Sequence, residues 1–521
     1  MTSSHRGTRD RRKGSRSSGA PPWLVALAAV CAAAAAIPLV YLIVRALDAG
    51  IAGSVVATLW RPRVLELALN SITLAVAVTG TCLVAGTASA WVLTRVRIPA
   101  PGIWILIAAL PLAVPSYLAA YGWLVWVPSM NGFWASWLLL SAVCVPYVTL
   151  PVAAALRGAS GNLHDVARTL GRGPFGAFVS ATWPQIRPAA IAGALLVCLY
   201  ALSDFGLVSL MRYPTLTWGI NAAYGASFNR NQAALLALVL VALALAVVTG
   251  ERSIRGGQDQ VAVRGAPPVI PSGRWKLPVA VVLMAAPVLG VLVPVLGLLS
   301  RLLEAETLRS IDVPRLLGAV GATLGLAVAG ALLATLLALP IAALAARHKS
   351  RLVSVIEATG FLGHGLPGIV VGLSLVFFAL AVVPALYQSV IVLVFGYAVL
   401  FMPKAIGTMR SGIAGVPGSL VEVSRMLGLS PLATWWRVTA RLALPSIGVG
   451  ALLVAISVMK ELPATLLLRP TGISTLATEL WSRTTVFEFG AAAPYAAALV
   501  LVAAVPAVVL SGFRGVSKED L

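Results

Sequence analysis

The sequence predicts an all-α polytopic membrane protein with about twelve transmembrane helices in two parallel six-helix repeats. Three observations carry that prediction. Of 521 residues, 59% are hydrophobic and only 11% charged, against about a quarter charged in a soluble domain, and the mean hydropathy is +0.95. Apolar runs of the ~20 residues that a bilayer requires recur from end to end. The second half of the chain also repeats the first. A large soluble α protein would need far more polar surface, and in lipid a run of this length satisfies its own backbone only as a helix.

In chain order, a basic tail (1–21, containing "HRGTRDRRKGSRSSGAP") precedes an apolar run at 22–47. A secretory signal has a shorter apolar region and a small-residue cleavage site, so a retained first helix is expected. Further runs fall near 68–94, 102–128, 133–156, 187–211, 233–250, 277–301, 316–346, 354–382, 386–409, 446–469 and 491–512. They group into a first half (22–250), a linker (251–276) rich in Gly, Pro and charge, a second half (277–513) and a tail (514–521). Cys31, Cys82, Cys144 and Cys198 lie inside the runs without C-x-x-C spacing, so they read as packing residues rather than a disulfide or zinc framework. The four histidines are scattered and form no metal-ligand cluster.

A net charge of +21 invites a nucleic-acid reading, and the placement of the charge argues against it. When the spans are taken alternately, 27 of the 38 Lys and Arg residues fall on one side, including five in 404–441. An excess of Lys and Arg marks cytoplasmic loops, which puts both termini inside. The expected location is a plasma membrane, with the bilayer and not DNA as the basic chain's partner.

A shift of 257 residues aligns Leu163–Thr217 with Leu420–Ser474 without a gap, and 15 of the 55 positions are identical. Asp165 meets Glu422 and Asp204 meets Glu461, while Pro115 and Pro367 correspond at an offset of 252. Six spans per half give both halves one orientation, as in transporters built from parallel repeats.

The repeated polar stretch is "HDVARTLGRGPF" in the first half and "VEVSRMLGLSPL" in the second. A short helix is expected to begin near the acidic residue and to end at Gly171 or Gly428, with Pro431 starting another short element. Both copies fall on the cytoplasmic side, ahead of the fifth span of their half. A pair of amphipathic helices so placed suits docking on a partner.

These residues resemble a known family. Asp165, Ala167 and Gly171, and Glu422 and Gly428, are similar to the E-A-A-x-x-x-G loop of binding-protein-dependent ABC importer permeases. Val166, Val423 and Ser424 stand where that motif has alanines. The resemblance implies a type I ABC importer permease made of two fused halves, with those five residues coupling to a separate ATPase dimer that holds ATP and Mg. It also implies an extracytoplasmic solute-binding protein, for which 212–232 and 469–490 are candidate docking segments. "LPLAVPSYLAAYGW", "LSDFGLVSLMRYPTLT" and "MKELPATLLLRPTGISTLATELW" resemble the ferric-iron uptake permeases of bacteria, and fused permeases for thiamine or phosphonates are near relatives. The iron assignment comes from this resemblance and from no metal-ligand pattern.

The chain has no Gly-Lys dipeptide, so it carries no phosphate-cradling P-loop, and no nucleophile elbow or H-E-x-x-H is present. It is expected to be a transport subunit that catalyses nothing itself and binds no cofactor. An ion-coupled secondary carrier, the competing class, would show a charged relay in several spans, whereas charge here is nearly confined to Asp204, Lys460 and Glu461 in the fifth spans. Such residues normally face a bundle interior. Two roles stay open for them: lining the translocation pathway together with Pro115 and Pro367, or local structure in which Lys460 neutralises an acid. No residue is assigned to a metal.

Overall fold

The computed structural model describes residues 20–48, 61–159, 161–225, 230–255, 270–271 and 276–516. Almost all of the basic N-terminal tail, most of the linker and the end of the C-terminal tail lie outside the described residues. The first half comprises α1 (Pro22–Asp48), α2 (Pro62–Arg95), α3 (Pro101–Ala113), α4 (Ser116–Trp126), α5 (Gly132–Gly158), α6 (Gly161–Thr169), α7 (Phe175–Ser203), α8 (Leu216–Gly225) and α9 (Arg230–Arg255). The second comprises α10 (Lys276–Leu302), α11 (Val313–Arg347), α12 (Arg351–Gly360), α13 (Gly368–Val382), α14 (Val390–Gly415), α15 (Gly418–Met426), α16 (Pro431–Met459), α17 (Leu476–Thr485) and α18 (Phe489–Val516).

Ten of these helices are long and apolar enough to cross a membrane, and α3 and α4 form a span bent by 88°. The third span of the second half is broken too, and packing shows that it crosses. Along α11 and α14, Gly330 lies against Tyr397 and Arg347 donates to the Val416 carbonyl at 3.2 Å. The contacts advance together, so α11 and α14 run parallel, and 351–382 must return across the bilayer between them. The same holds in the first half, where Trp137 donates to Thr81 at 3.0 Å and Arg95 to the Leu156 carbonyl at 3.4 Å. With both broken third spans taken as crossings, the described residues make about twelve.

The repeat is structural as well as sequential. Gly193 packs on Tyr147 and Val148 as Gly450 packs on Ala405 and Thr408. Ser71 accepts from the Leu216 amide at 2.8 Å, and Thr323 from the Leu476 amide at 2.9 Å. The 252-residue offset therefore holds from Ser71/Thr323 through Arg95/Arg347 to Pro115/Pro367. It becomes 257 after the third span, because α13 and the connection that follows it are both longer than α4 and its connection.

Each half wraps its first helix around the other. Tyr41 of α1 meets Phe378 of α13 edge-on at 5.7 Å, and Arg45 sits 6.0 Å from the Phe377 ring. In return α10 packs on α4 and α5: Trp123 donates to the Leu289 carbonyl at 2.8 Å and Trp126 to the Val293 carbonyl at 3.2 Å. α10 contains a π turn at 288–292. Pro294 has no N–H to return to Leu289 across that turn, so the Trp123 indole meets an otherwise orphaned carbonyl. A two-residue parallel pairing, Val96–Arg97 with Ile270–Pro271, holds part of the linker beside the turn between α2 and α3.

The α4–α10 crossing depends on glycine. A Cβ on Gly122 would collide with the Pro294 backbone, and one on Gly297 would lie 2.5 Å from the Gly122 carbonyl oxygen. Small residues let membrane helices approach this closely. Gly122→Val should therefore cost about 1–3 kcal/mol or more through overpacking, read as a lower thermal midpoint of the detergent-purified chain. Gly102→Val, where a Cβ meets nothing within 4 Å, should leave the midpoint unchanged.

Candidate functional site

Two regions collect the residues singled out by sequence: the short helices α6 and α15, and the breaks in the third and fifth spans.

α6 and α15 are equivalent, and six crossings separate them, so both lie at one end of the bundle. They start at Gly161 and Gly418, four residues before Asp165 and Glu422. The expectation that each begins at its acid is thus corrected: Pro417 sets the start of α15, and both acids sit a full turn inside. Gly171 and Gly428 take φ +82° and +83°, a left-handed conformation that favours glycine. Arg172 donates back to the Ala167 carbonyl, and Leu429 to that of Ser424, each at 3.1 Å, closing paired Schellman turns. Ala167 and its counterpart Ser424 face inward and are buried, with Ser424 donating to Thr434 at 3.2 Å. Glu422 is exposed.

The outward faces carry Leu163, Val166 and Leu170 on one copy and Leu420, Val423 and Leu427 on the other. Both triads are identical in residue type and position. Leu170 and Leu427 are 76% and 78% exposed, and Phe175 and Met426 extend the faces. The spacing i, i+3, i+7 is that of an apolar stripe, here left uncovered among the described residues. Sequence reasoning noted these identities as markers of duplication and missed that they form the exposed surface.

The fifth spans end earlier than expected, at Ser203 and Met459, so Asp204, Lys460 and Glu461 stand at breaks and not inside continuous helices. The reason is capping. Asp204 turns to ψ 130°, and its Oδ1 accepts from the amides of Leu207 and Val208 at 3.0 and 3.3 Å, starting the short helix Gly206–Leu210. Glu461 Oε1 accepts from Ala464 at 3.0 Å and starts Pro463–Leu468.

The same acids reach the breaks in the third spans. Pro115 and Pro367 are buried and extended just ahead of α4 and α13. Asp204 Oδ2 accepts from Ser116, next to Pro115, while Glu461 presses against Gly368, next to Pro367. Asp204 thus bonds the end of its fifth span to the kink of a third span, and Glu461 packs its carboxylate against the equivalent kink in its own half. Lys460 crosses between halves: its Nζ donates to the Leu112 carbonyl at 3.2 Å, and its own carbonyl accepts from Tyr117 at 3.3 Å. Among the described residues, no three His, Cys, Asp or Glu side chains converge as a metal site.

Lys404 was assigned by sequence to the cytoplasmic segment, but it lies midway along α14. Its Nζ donates at 2.5 Å to Ser457 of α16, three residues before Lys460. Its position after Pro403, within a run of apolar residues, hid it. At the end opposite α6 and α15, Arg212 (φ 52°) stacks 5.0 Å from the ring of Phe487 (φ 64°), linking the halves.

With this geometry in place, comparison with known proteins is decisive. Residues 338–518 match the family model of the binding-protein-dependent transport system inner membrane component. Over 500 residues the chain is 32% identical to the Fe(3+)-transport system permease protein FbpB 2 of Haemophilus influenzae, covering 95% of this chain and 98% of that one. This chain belongs to the family of binding-protein-dependent ABC importer permeases. It is also 30% identical over 139 residues to the sulfate permease CysT of Escherichia coli, covering 24% of this chain and 50% of that one. A match to the molybdate/tungstate permease WtpB of Thermococcus kodakarensis, 26% identical, covers 37% and 79% respectively. As a member of this family the chain is a transport subunit of type I architecture in which both halves are present in one polypeptide.

Near the Arg212 end, Glu479 is buried on α17 between Arg315 (3.0 Å) and Arg483 (3.3 Å). Burial raises its carboxyl pKa, but hydrogen bonds from Arg315 and Ser474 and the charges of Arg315 and Arg483 outweigh that and hold it below the ordinary glutamate value of 4.5. A depressed folded-state pKa stabilises fully above the unfolded value and loses its effect as pH falls through the folded one. Glu479→Gln should thus lower the thermal midpoint at pH 7, with the gap to wild type closing below about pH 4.

Proposed function

We propose that this chain forms the translocation pathway of an ATP-driven importer of ferric iron in a bacterial plasma membrane, with both termini cytoplasmic. The observation that carries the reading is the matched pair of exposed triads, Leu163/Val166/Leu170 and Leu420/Val423/Leu427, at one end of the bundle. An ATPase dimer offers two equivalent grooves, and two equivalent apolar helices suit them. ATP and Mg are held by that partner. Ferric iron is favoured by the similarity to an Fe(3+)-transport permease along 95% of the chain; the sulfate and molybdate/tungstate relatives cover 24% and 37% of it. A soluble binding protein delivers the cargo at the opposite end, against 212–232 and 469–490.

The geometry suggests how a push at the ATPase reaches the pathway. α6 leads into α7, which contains a π turn at 178–182, α7 ends on Asp204, and Asp204 holds Ser116 at the third-span kink. The second half repeats this from α15, through the π turn at 435–439, to Glu461 and Gly368. Each fifth span is a rod joining a coupling helix to a kink, and Asp165, Ala167, Gly171, Glu422 and Gly428 shape its driven end.

Val166→Asp and Val423→Asp place a charge on each exposed face without touching a buried residue. Each should cost about 2 kcal/mol or more of docking energy if the triads are hot spots, roughly 30-fold in ATPase affinity. Uptake of radiolabelled iron by cells also expressing the ATPase and binding protein should fall in each variant and vanish in the double variant, at unchanged membrane levels of the chain. Wild-type uptake by the double variant would refute the coupling role, and full uptake of another solute in place of iron would refute the substrate.

A further inference from the structure

The short helix Gly206–Leu210, which Asp204 starts, meets α17 of the other half at both of its ends. At its start the buried Phe205 ring lies 5.7 Å from that of Trp481. Just past its end the Arg212 guanidinium sits 5.0 Å from the Phe487 ring. The helix is also seated on the third span of its own half, since a Cβ on Gly206 would lie 2.8 Å from that of Tyr117.

Three features set these contacts apart from ordinary packing. Tyr213 donates to the Val208 carbonyl at 2.9 Å and Glu488 to that of Arg483 at 3.0 Å, so Arg212 and Phe487 each hold the left-handed position of a Schellman turn, at φ 52° and 64°. The coupling helices give that position to Gly171 and Gly428, whereas here two strained non-glycine residues hold it, one from each half, and they meet. Second, the Trp481 Nε1–H is buried and finds no acceptor among the described residues, so the closed contact leaves a donor unsatisfied. Third, the repeat does not copy the arrangement. A shift of 257 residues puts Leu462 and Arg469 at the positions of Phe205 and Arg212. Leu462 has no ring to stack, and Arg469, at φ −61°, turns back to donate to Ile473 and Ser474 of its own loop at 3.4 and 3.1 Å. A contact made once, from one side and against local strain, suits a joint that opens.

We propose that Phe205–Trp481 and Arg212–Phe487 form a clasp that closes the outer mouth of the pathway and parts in each transport cycle. The clasp presupposes the ATP-driven importer already proposed. Its link to the fifth span is continuous: α7 ends on Asp204, Asp204 starts Gly206–Leu210, and that helix carries both first-half members of the clasp. A movement of α7 that reaches the third-span kink therefore also draws Phe205 and Arg212 away from α17. The unsatisfied indole N–H and the left-handed backbone bring the closed state nearer in energy to the open one, so that docking of a binding protein suffices to shift the balance.

The test uses the whole transporter, permease with ATPase and binding protein, in liposomes with ATP on the ATPase side. Arg212→Cys and Phe487→Cys are introduced together and bridged by a short, reducible bifunctional thiol reagent, with the wild type, whose Cys31, Cys82 and Cys144 are buried, treated alike. Bridging should abolish both the uptake of radiolabelled iron and the ATP hydrolysis that the binding protein stimulates, and reduction should restore both to the unbridged level. Two substitutions away from the docking surface should then act in opposite directions on the binding-protein concentration that gives half-maximal hydrolysis. Phe205→Leu, which loses the stack, should lower it roughly fivefold, and Trp481→Phe, which loses only the unsatisfied N–H, should raise it roughly fivefold. Full iron uptake by the bridged chain overturns the clasp and leaves the importer reading standing, as does failure of the two cysteines to bridge in the resting transporter. Shifts of the same sign in Phe205→Leu and Trp481→Phe reduce both residues to packing and overturn it too. Stimulated hydrolysis that is lost on bridging and regained on reduction, with no iron moved by any variant, supports the clasp and removes iron. A wild type whose hydrolysis no binding protein stimulates contradicts the importer and the clasp together.

Discussion

A helix broken inside a bilayer exposes amide and carbonyl groups that no water can satisfy, and the centre of this protein depends on meeting that constraint twice. Pro115 and Pro367 end one helix and begin another within the third spans. The groups freed around those kinks, and around the ends of the fifth spans, find partners in side chains that are costly in lipid: Asp204, Glu461 and Lys460. Each is retained where it completes a hydrogen-bond set, which explains why so apolar a chain keeps charge there. The staples join two broken elements that sequence alone leaves separate.

Around that centre the architecture is an exchange. α1 packs on the second half and α10 on the first, so neither half owns a complete core. Close backbone approach at Gly122 and Gly297 and indole bonds from Trp123 and Trp126 hold one crossing, and Tyr41 and Arg45 hold the other. Fusion into one chain keeps the halves in fixed proportion and lets them diverge, as Lys404 and Tyr147 have done at one repeat position.

Much of this was legible in the sequence because it follows from repetition and hydropathy. Apolar runs mark most spans, and the 257-residue offset pairs Gly171 with Gly428 and Asp204 with Glu461. What escaped depends on side-chain direction or backbone register. Leu163, Val166 and Leu170 look like ordinary apolar residues until the helix turns them outward. Lys404 looked like a loop residue because topology was read from charge, and charge inside a span defeats that reading. The ends of the fifth spans were misplaced because hydropathy continues through Leu207–Leu210 and Leu466–Leu468, while the capping carboxylates have already restarted the helix. Glu479 gave no signal, since its partner Arg315 lies 164 residues away.

The central claim is that each acid carries motion from a coupling helix to a kink, and the most direct measurement is the number of solute molecules moved per ATP hydrolysed by the reconstituted transporter carrying Asp204→Ala, Glu461→Ala or both. If the staples transmit the stroke, these variants still assemble with the ATPase and hydrolyse ATP, while solute moved per ATP falls stepwise from wild type to single to double variant. A double variant that assembles and moves as much solute per ATP as the wild type would contradict the account.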